Sequence, residues 1–309
     1  MQKIQYDQYG GPELLHLDEV EPASPGKGQV LVRVRAAAAN PMDWRIRNGE
    51  VKLMTGRRFP RGLGEDFAGT IVRVGEGVTR FKVGDDVLGA VSMKASGAFA
   101  EMVVADENTT VVKPPGLSFE EGAALPTVGV AALQSLIDKG KLQAGQSVFV
   151  NGCLGGVGRA AVQIARIHGA HVAGSCRATA TDEAKALGVS PVVDFDFDPT
   201  RLKGQFDLVI DTAGTMSFKD ARTLLKPQGR FVELNGSLAK MVRSLYRRNF
   251  KLLNAKYTSE ALTTIADAAA HGQLTIPIAE TVPLNQAIDA LTKLERTHSP
   301  RGKLVMVSG

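Results

Sequence analysis

The chain is poor in cysteine, with only Cys153 and Cys176 among its 309 residues. Two thiols exclude a disulfide framework, and they are too few for a four-thiolate zinc site. Long apolar runs are also lacking, and the first residues, MQKIQYDQYGG, do not contain the apolar core of a signal peptide. We therefore expect a soluble, cytoplasmic protein without a membrane span.

Charge of either sign is not in large excess. Lys and Arg number 37 against 32 Asp and Glu, which leaves a net charge of +5, and hydrophobic residues make up 44% of the chain. This balance excludes a largely disordered chain. Because the length also exceeds the size at which a single core usually stops growing, two domains are expected.

The basic residues are densest in RSLYRRNFK, which contains Arg243, Arg247, Arg248 and Lys251. Such a group suits a nucleic-acid patch, a solvated face or a site for an anionic cofactor phosphate. The last two interpretations are favoured, and nucleic acid stays open as the weaker alternative.

The periodicity of the chain changes near residue 118. Before it, QVLVRVRAAAA and GTIVRVGEGV alternate apolar and polar side chains, as β-strands do. After it, Ser118 and Glu121 form a capping-box pattern, and helices of about ten residues then alternate with short apolar strands. This alternation predicts a doubly wound parallel sheet with right-handed crossovers.

The last fifty residues predict two helices and a closing strand, GKLVMV. A terminal strand without a neighbouring partner has to return to the first sheet. We therefore predict an α/β protein in which residues 1–118 and 257–309 form one β-rich domain. The doubly wound domain, residues 119–256, is inserted between its two parts.

The segment NGCLGGVGRA, residues 151–160, lies between a predicted strand, SVFV, and a predicted helix, RAAVQIARI. A dinucleotide-binding turn needs exposed N–H groups at a helix N-terminus and no Cβ where phosphate approaches. Cys153 replaces the first glycine of the usual pattern, but Gly152 can make the tight turn instead. Gly158 then lets the helix pack closely. The predicted cofactor contacts in this loop are Gly152, Cys153, Gly155, Gly156 and Val157.

The next strand ends in Ser175, Cys176 and Arg177, and the first carboxylate after it is Asp182. NAD-binding domains usually place Asp or Glu there to bind the ribose hydroxyls. A 2′-phosphate would be repelled by a carboxylate and attracted by Arg177 and Ser175. The predicted cofactor contacts here are Ser175, Cys176 and Arg177. Charge-assisted hydrogen bonds contribute about 1.5 to 3 kcal/mol each, so the sequence predicts NADPH over NADH.

Taken together, six segments resemble the medium-chain dehydrogenase/reductase superfamily. They are AAANPMDWRIRNG (37–49), GEDFAGTIVRVGEGVTRFKVGDDVLG (64–89), LPTVGVAALQSL (125–136), NGCLGGVGRAAVQIAR (151–166), DTAG (211–214) and RGKLVMV (301–307). The zinc members carry a catalytic Cys in the first segment and Gly-His-Glu in the second. This chain has NPMD and Gly64-Glu65-Asp66 there, so it is similar to the zinc-independent quinone oxidoreductase branch, which includes enone and alkenal reductases and the chloroplast-envelope homologue.

The resemblance implies a GroES-like catalytic domain, a Rossmann domain and a homodimer. It places Asn40 at the nicotinamide or the substrate, Thr127 at the carboxamide, and Lys303 at the cofactor cleft. The remaining positions that it implies around the nicotinamide are Ala213, Gly214, Leu234, Asn235 and Gly236. No general acid stands out: Lys52 is a speculative candidate, and Asp43 and Asp66 are assigned structural roles.

The function expected from the resemblance is NADPH-dependent reduction of a small-molecule quinone or activated C=C bond, without zinc. A non-catalytic NADPH-binding structural or sensor protein is the alternative. Cys153 raises a separate expectation, because a thiol near a helix N-terminus can have a lowered pKa and be reactive.

Overall fold

The structure is a computed structural model that describes residues 1–234, 249–297 and 301–308. The chain divides into two units. The first unit comprises residues 1–127 and 257–309, and the second comprises residues 128–256. The second unit is thus an insertion in the chain of the first.

Regular elements account for most of the described chain. The strands are β1 (Gln2–Tyr6), β2 (His16–Glu19), β3 (Gln29–Ala38), β4 (Arg61–Gly62), β5 (Asp66–Val74), β6 (Asp86–Ala90), β7 (Met102–Asp106), β8 (Thr110–Val112), β9 (Ser147–Asn151), β10 (His171–Ser175), β11 (Val192–Val193), β12 (Phe206–Asp211), β13 (Leu225–Glu233), β14 (Phe250–Leu252), β15 (Ile278–Pro283) and β16 (Lys303–Val307). The helices are α1 (Pro41–Arg47), α2 (Lys52–Thr55), α3 (Phe119–Ala124), α4 (Pro126–Leu133), α5 (Gly156–Ile167), α6 (Thr181–Ala186), α7 (Phe218–Leu224), α8 (Ser259–Ala270) and α9 (Ala287–Thr297). Within the described ranges, none of the helices has the length and apolar character to cross a bilayer.

The first unit is built on a seven-stranded sheet with strand order β15-β16-β3-β5-β6-β8, in which β7 also pairs with β3. Its alternating strands bury one face, as β3 shows: Val30, Val32 and Val34 are buried while Arg33 and Arg35 are exposed. The terminal strand β16 pairs antiparallel with β3. The predicted return of the C-terminal strand to the first sheet is therefore confirmed.

The first boundary between the units differs from the predicted one. The sequence prediction placed residues 119–127 in the inserted domain, whereas the structure places them in the first unit. The reason is the small, apolar face of α3, whose Gly122, Ala123 and Ala124 are buried against β3 and β5. The predicted capping box at Ser118 and Glu121 is present and starts this helix.

The second unit contains a parallel sheet of six described strands, in the order β11-β10-β9-β12-β13-β14. The predicted doubly wound sheet is therefore confirmed, although β11 is only two residues long. The strand order reverses at β9, which has β10 on one side and β12 on the other. In such sheets the crevice at the reversal, beyond the carboxyl ends of the strands, is where ligands bind.

Candidate functional site

The candidate cofactor site of the second unit begins at the loop after β9, where the strand order of the sheet reverses. β9 ends at Asn151, Gly152 turns with φ +83°, and α5 begins at Gly156. Gly155 and Gly156 are exposed, and the first N–H groups of an α-helix have no intrahelical acceptor. The loop therefore offers backbone donors and room for an anion at the positive end of a twelve-residue helix.

Gly158 is required by the packing of α5 against this loop. A Cβ at Gly158 would lie 2.0 Å from the carbonyl oxygen of Gly152 and 3.0 Å from Cα of Cys153. Gly152 makes the tight turn, and Gly158 makes the close approach, as the spacing of the glycines predicts.

Side chains at three adjacent strand ends hold the loop in place. The Ser175 hydroxyl at the end of β10 donates to Asn151 Oδ1 and accepts from the N–H of Gly152. Asn151 Nδ2, at the end of β9, donates to Asp211 Oδ1 at the end of β12, at 2.8 Å. The carboxyl ends of β10, β9 and β12 are thus joined by one chain of hydrogen bonds.

This arrangement corrects the role predicted for Ser175 and Cys176. Ser175 is completely buried, and its hydroxyl is used inside the loop rather than offered to a ligand. Cys176 is also buried, and its N–H donates to the carbonyl of Val193. Arg177, the next residue, is exposed. Of the three residues predicted to hold a 2′-phosphate, only Arg177 has a side chain placed on the surface.

The expectation of a reactive thiol at Cys153 is wrong. The side chain is completely buried, and burial raises the pKa of its thiol to about 12, with the neighbouring Cys176 adding to the rise. Its N–H already donates to the carbonyl of Ser175 at 2.9 Å. Cys153 shapes the inner side of the loop.

The DTAG segment follows β12 in the same unit. Asp211 is buried and accepts from the N–H groups of Gly214 (2.8 Å) and Met216 (3.1 Å), which holds the turn in place. Ala213 is exposed at this turn, and Leu234 is half-buried immediately after β13. The predicted contacts Asn235 and Gly236, and the basic residues Arg243, Arg247 and Arg248, lie outside the described residues.

In the first unit, three of the predicted residues form one buried hydrogen-bond network. Lys303 Nζ donates to Asn40 Oδ1 at 2.6 Å, and Asn40 Nδ2 donates to Asp66 Oδ2 at 2.9 Å. Thr127 donates to Asp66 through its hydroxyl at 2.7 Å and through its N–H. Asp66, which the sequence assigned a structural role, joins Asn40 to Thr127.

Asn40 is therefore more enclosed than predicted. It is 1% exposed, and both its amide oxygen and its amide nitrogen have partners inside the network. It also starts α1, where its N–H donates to Asp43 Oδ2 at 2.7 Å. Lys303 is buried as well.

The charged groups of this network are buried, which shifts their pKa values. Burial raises the pKa of Asp43 to about 7, reinforced by the charge of Asp66 and opposed by Lys303. Burial also raises the pKa of Asp66 and lowers that of Lys303. Burial also raises the pKa of Glu65, and the charges of Asp43 and Asp66 add to the rise.

Two residues beside this network do not stand out in the sequence. Glu65 interacts with Asp43 and Asp66 through its charge, and its only sequence signal is that it stands where the zinc members carry histidine. Tyr257 belongs to none of the six segments. The Tyr257 hydroxyl lies 2.8 Å from that of Thr127, across 130 residues of sequence. Lys52, the speculative general acid, lies instead on the exposed helix α2.

Within the described ranges, no three His, Cys, Asp or Glu side chains are arranged to hold a metal ion. The three buried acids are accompanied instead by the Lys303 side chain, whose charge acts on both Asp43 and Asp66. Protein zinc sites usually include thiolate or imidazole ligands, and these four side chains offer neither.

The fold is that of a dehydrogenase with a GroES-like domain and a Rossmann domain. Residues 26–115 match the alcohol dehydrogenase GroES-like domain, and residues 187–306 match the family described as zinc-binding dehydrogenase. Two plant proteins align along nearly the whole chain, each covering 99% of it and 98% of the relative. One is a chloroplastic quinone oxidoreductase of Triphysaria versicolor, 31% identical, and the other is the chloroplast envelope quinone oxidoreductase homologue of Arabidopsis thaliana, 30% identical.

Solved structures agree with these relatives. The quinone oxidoreductase of Coxiella burnetii superposes with a TM-score of 0.90 at 31% identity, covering 99% of both chains. The Escherichia coli quinone oxidoreductase complexed with NADPH superposes with a TM-score of 0.85 at 25% identity, covering 99% of this chain and all of that one. This chain therefore belongs to the medium-chain dehydrogenase/reductase superfamily, among its quinone oxidoreductases, as the six sequence segments predict.

Proposed function

We propose that the protein is an NADPH-dependent reductase of quinones or of activated double bonds in α,β-unsaturated carbonyl compounds, and that it works without zinc. The observation that carries the proposal is the loop of Gly152 to Gly156 at the switch point of the second unit. Its exposed glycines and free helix N-terminus suit a pyrophosphate. The E. coli relative complexed with NADPH supports the same cofactor class.

The buried polar residues of the first unit support a role in hydride transfer. The buried network of Asn40, Asp66, Thr127 and Lys303 is pre-formed by short hydrogen bonds, and pre-organised donors cost little reorganisation during a reaction. A bound nicotinamide would supply the hydride. The protein would supply orientation and a proton.

Zinc independence is supported by the donor set around Asp66. Lys303 carries the balancing positive charge there, and burial raises the pKa values of all three acids, which favours the proton over a metal. A homodimeric state and a cytoplasmic location stay predictions.

NADPH preference is proposed on the positive charge of Arg177, which would attract a 2′-phosphate. β10 contains no carboxylate that would repel that phosphate. Arg177→Ala should raise the dissociation constant of NADPH about tenfold to a hundredfold and leave that of NADH nearly unchanged. Fluorescence titration of both cofactors measures this. Equal affinities of the wild type for the two cofactors would contradict the preference.

The decisive experiment is NADPH oxidation followed by absorbance with a naphthoquinone, an enone and an alkenal, before and after treatment with a chelator. We expect turnover of at least one acceptor, with no loss in chelator. If NADPH binds but no acceptor is reduced, the protein is a non-catalytic NADPH-binding protein. Loss of activity in chelator, with recovery on adding zinc, would contradict zinc independence.

A further inference from the structure

Leu53 is the most exposed large apolar residue in the described ranges, at 97% exposure. Its neighbour Met54 is 50% exposed, and both lie on the short helix α2. Single exposed apolar residues are common on protein surfaces and need no explanation, whereas exposed apolar residues in a group mark interaction sites. We call residues 51–60, which carry this apolar pair, the tip.

The tip also carries positive charge without a matching negative charge. Lys52, Arg57 and Arg58 are exposed, and residues 51–61 contain four basic residues and no Asp or Glu. Glu50, which precedes the tip, is held in an ion pair of its own at 2.8 Å. The field around the apolar pair is therefore positive, and it attracts an anionic surface.

The base of the tip is held by buried groups. Thr55 is buried, and its hydroxyl lies 3.0 Å from that of Tyr9, which also donates to the carbonyl of Gly56. The Arg61 guanidinium donates to the carbonyl of Thr55 at 2.8 Å. Phe59 packs edge-on against Tyr9, with 5.1 Å between the ring centroids. The tip is therefore a folded projection, so little conformational entropy is lost when a partner binds it.

Two kinds of partner fit this combination less well than a lipid surface does. A stable protein interface buries about 1,200 Å² or more, which is much more than two apolar side chains supply. Nucleic acid is bound mainly through its phosphates, which would leave the two aliphatic side chains unused. An anionic membrane surface suits both features, because aliphatic side chains enter its acyl boundary while Lys and Arg stay at the phosphates.

We propose that the tip binds the surface of a membrane that contains anionic lipids. Leu53 and Met54 enter the boundary between the headgroups and the acyl chains. Lys52, Arg57 and Arg58 bind the lipid phosphates. Binding of this kind is peripheral and reversible, and it weakens as salt screens the charges. It goes beyond the proposed function and holds whether or not the protein reduces a quinone.

Flotation of the protein with lipid vesicles measures this binding, without cofactor or substrate. Vesicles of phosphatidylcholine alone are compared with vesicles of phosphatidylcholine and phosphatidylserine. Each Lys or Arg near an anionic surface strengthens binding about fivefold. The three exposed cations of the tip therefore predict a preference of about a hundredfold for the anionic vesicles, and added salt should release the protein.

Two variants separate the charges of the tip from its apolar side chains. Arg57→Gln combined with Arg58→Gln removes two cations and should weaken binding to the anionic vesicles about thirtyfold. Leu53→Gln keeps the size of the side chain but not its apolar character, and it should weaken binding at least about tenfold. Because all three side chains are exposed, neither variant should shift the midpoint of urea unfolding appreciably.

Each variant has a matched control. Lys219→Gln combined with Arg222→Gln removes the same charge from exposed positions of the second unit. Val83→Gln replaces another exposed apolar residue, at 59% exposure, which is followed by the acidic residues Asp85 and Asp86. Both controls should bind the anionic vesicles as tightly as the wild type does.

Equal binding of the wild type to the two kinds of vesicle, or no binding to either, would overturn the proposal. Equal weakening by the tip variants and their controls would do the same. If Leu53→Gln leaves vesicle binding unchanged but lowers the sedimentation coefficient of the protein without lipid, the tip is a contact between two copies of the chain. If it leaves vesicle binding unchanged but raises the KM for a water-soluble quinone, the tip covers the substrate. Either result would overturn membrane binding, whereas a protein that reduces no quinone, enone or alkenal would overturn only the proposed function.

Discussion

Gly158→Ala is a sharp test of how the cofactor loop is built. The new Cβ would lie 2.0 Å from the Gly152 carbonyl oxygen and 2.9 Å from its carbonyl carbon. Both atoms belong to the backbone, so no side chain can rotate away. Either α5 or the loop has to move by roughly 1.5 Å to restore ordinary contact distances of about 3.5 Å.

Two effects of opposite sign decide the magnitude. Replacing Gly by Ala inside a helix stabilises it by about 1 kcal/mol, whereas overpacking a close backbone contact costs about 1 to 3 kcal/mol or more. The 2.0 Å contact is far shorter than any that relaxation of a few tenths of an ångström can relieve. We expect the overpacking cost to prevail, with a net loss of about 1 to 2 kcal/mol. NADPH affinity should fall at least tenfold, because the displaced backbone holds the donors.

Urea unfolding and NADPH titration measure the two effects, and Gly122→Ala is the control. Gly122 is also helical, but its nearest neighbours to a new Cβ are side-chain atoms at 3.4 Å or more. That variant should be as stable as the wild type or slightly more stable, with normal NADPH binding. A Gly158→Ala protein that matches the wild type in both measurements would refute this account of the loop.

Three further outcomes follow from buried groups. Glu295→Ala should lower the free energy of unfolding by about 3 to 5 kcal/mol, because it leaves the 1%-exposed Arg47 side chain without its 2.8 Å partner. Glu50→Ala, which removes the partner of Arg45 in a more exposed ion pair, should cost less than about 1 kcal/mol. Similar losses of unfolding free energy in urea for the two variants would refute the distinction between buried and exposed ion pairs. Asp43→Asn should gain stability relative to the wild type as the pH rises from about 4 to about 7, because the folded wild type holds a proton there that the unfolded chain releases. A difference in urea unfolding that does not change with pH would contradict the raised pKa. Both cysteines are buried, so a thiol reagent should modify them only after unfolding, and rapid labelling of the native protein would contradict their burial.

The sequence predicts the parts of the fold that depend on local patterns. Alternation predicts the strands of the first unit, and the strand-to-helix context of NGCLGGVGRA predicts the loop. The misplaced domain boundary at residues 119–127 also comes from relying on local patterns. α3 has a normal capping box and helical spacing, but those features do not determine which sheet its small buried residues pack against.

The buried polar network of the first unit could not be predicted in this way because its residues are brought together only by the fold. Lys303 is 263 residues from Asn40, and Tyr257 is 130 residues from Thr127. Each residue alone has an ordinary structural interpretation, and two acids were assigned one. The shifted pKa values of Asp43, Glu65, Asp66 and Lys303 arise from their shared burial and from the charges that they exert on one another.

At the end of β10 the structure changes the physical basis of the NADPH prediction. The sequence argument for NADPH used the absence of a carboxylate together with attraction by Ser175 and Arg177. In the structure the Ser175 hydroxyl is bonded to Asn151 and to the N–H of Gly152, so the attraction reduces to the charge of Arg177. The structure thereby changes what Ser175→Ala should do. It should weaken NADPH and NADH binding equally, by loosening the shared loop, whereas only a change at Arg177 should alter the ratio of the two affinities.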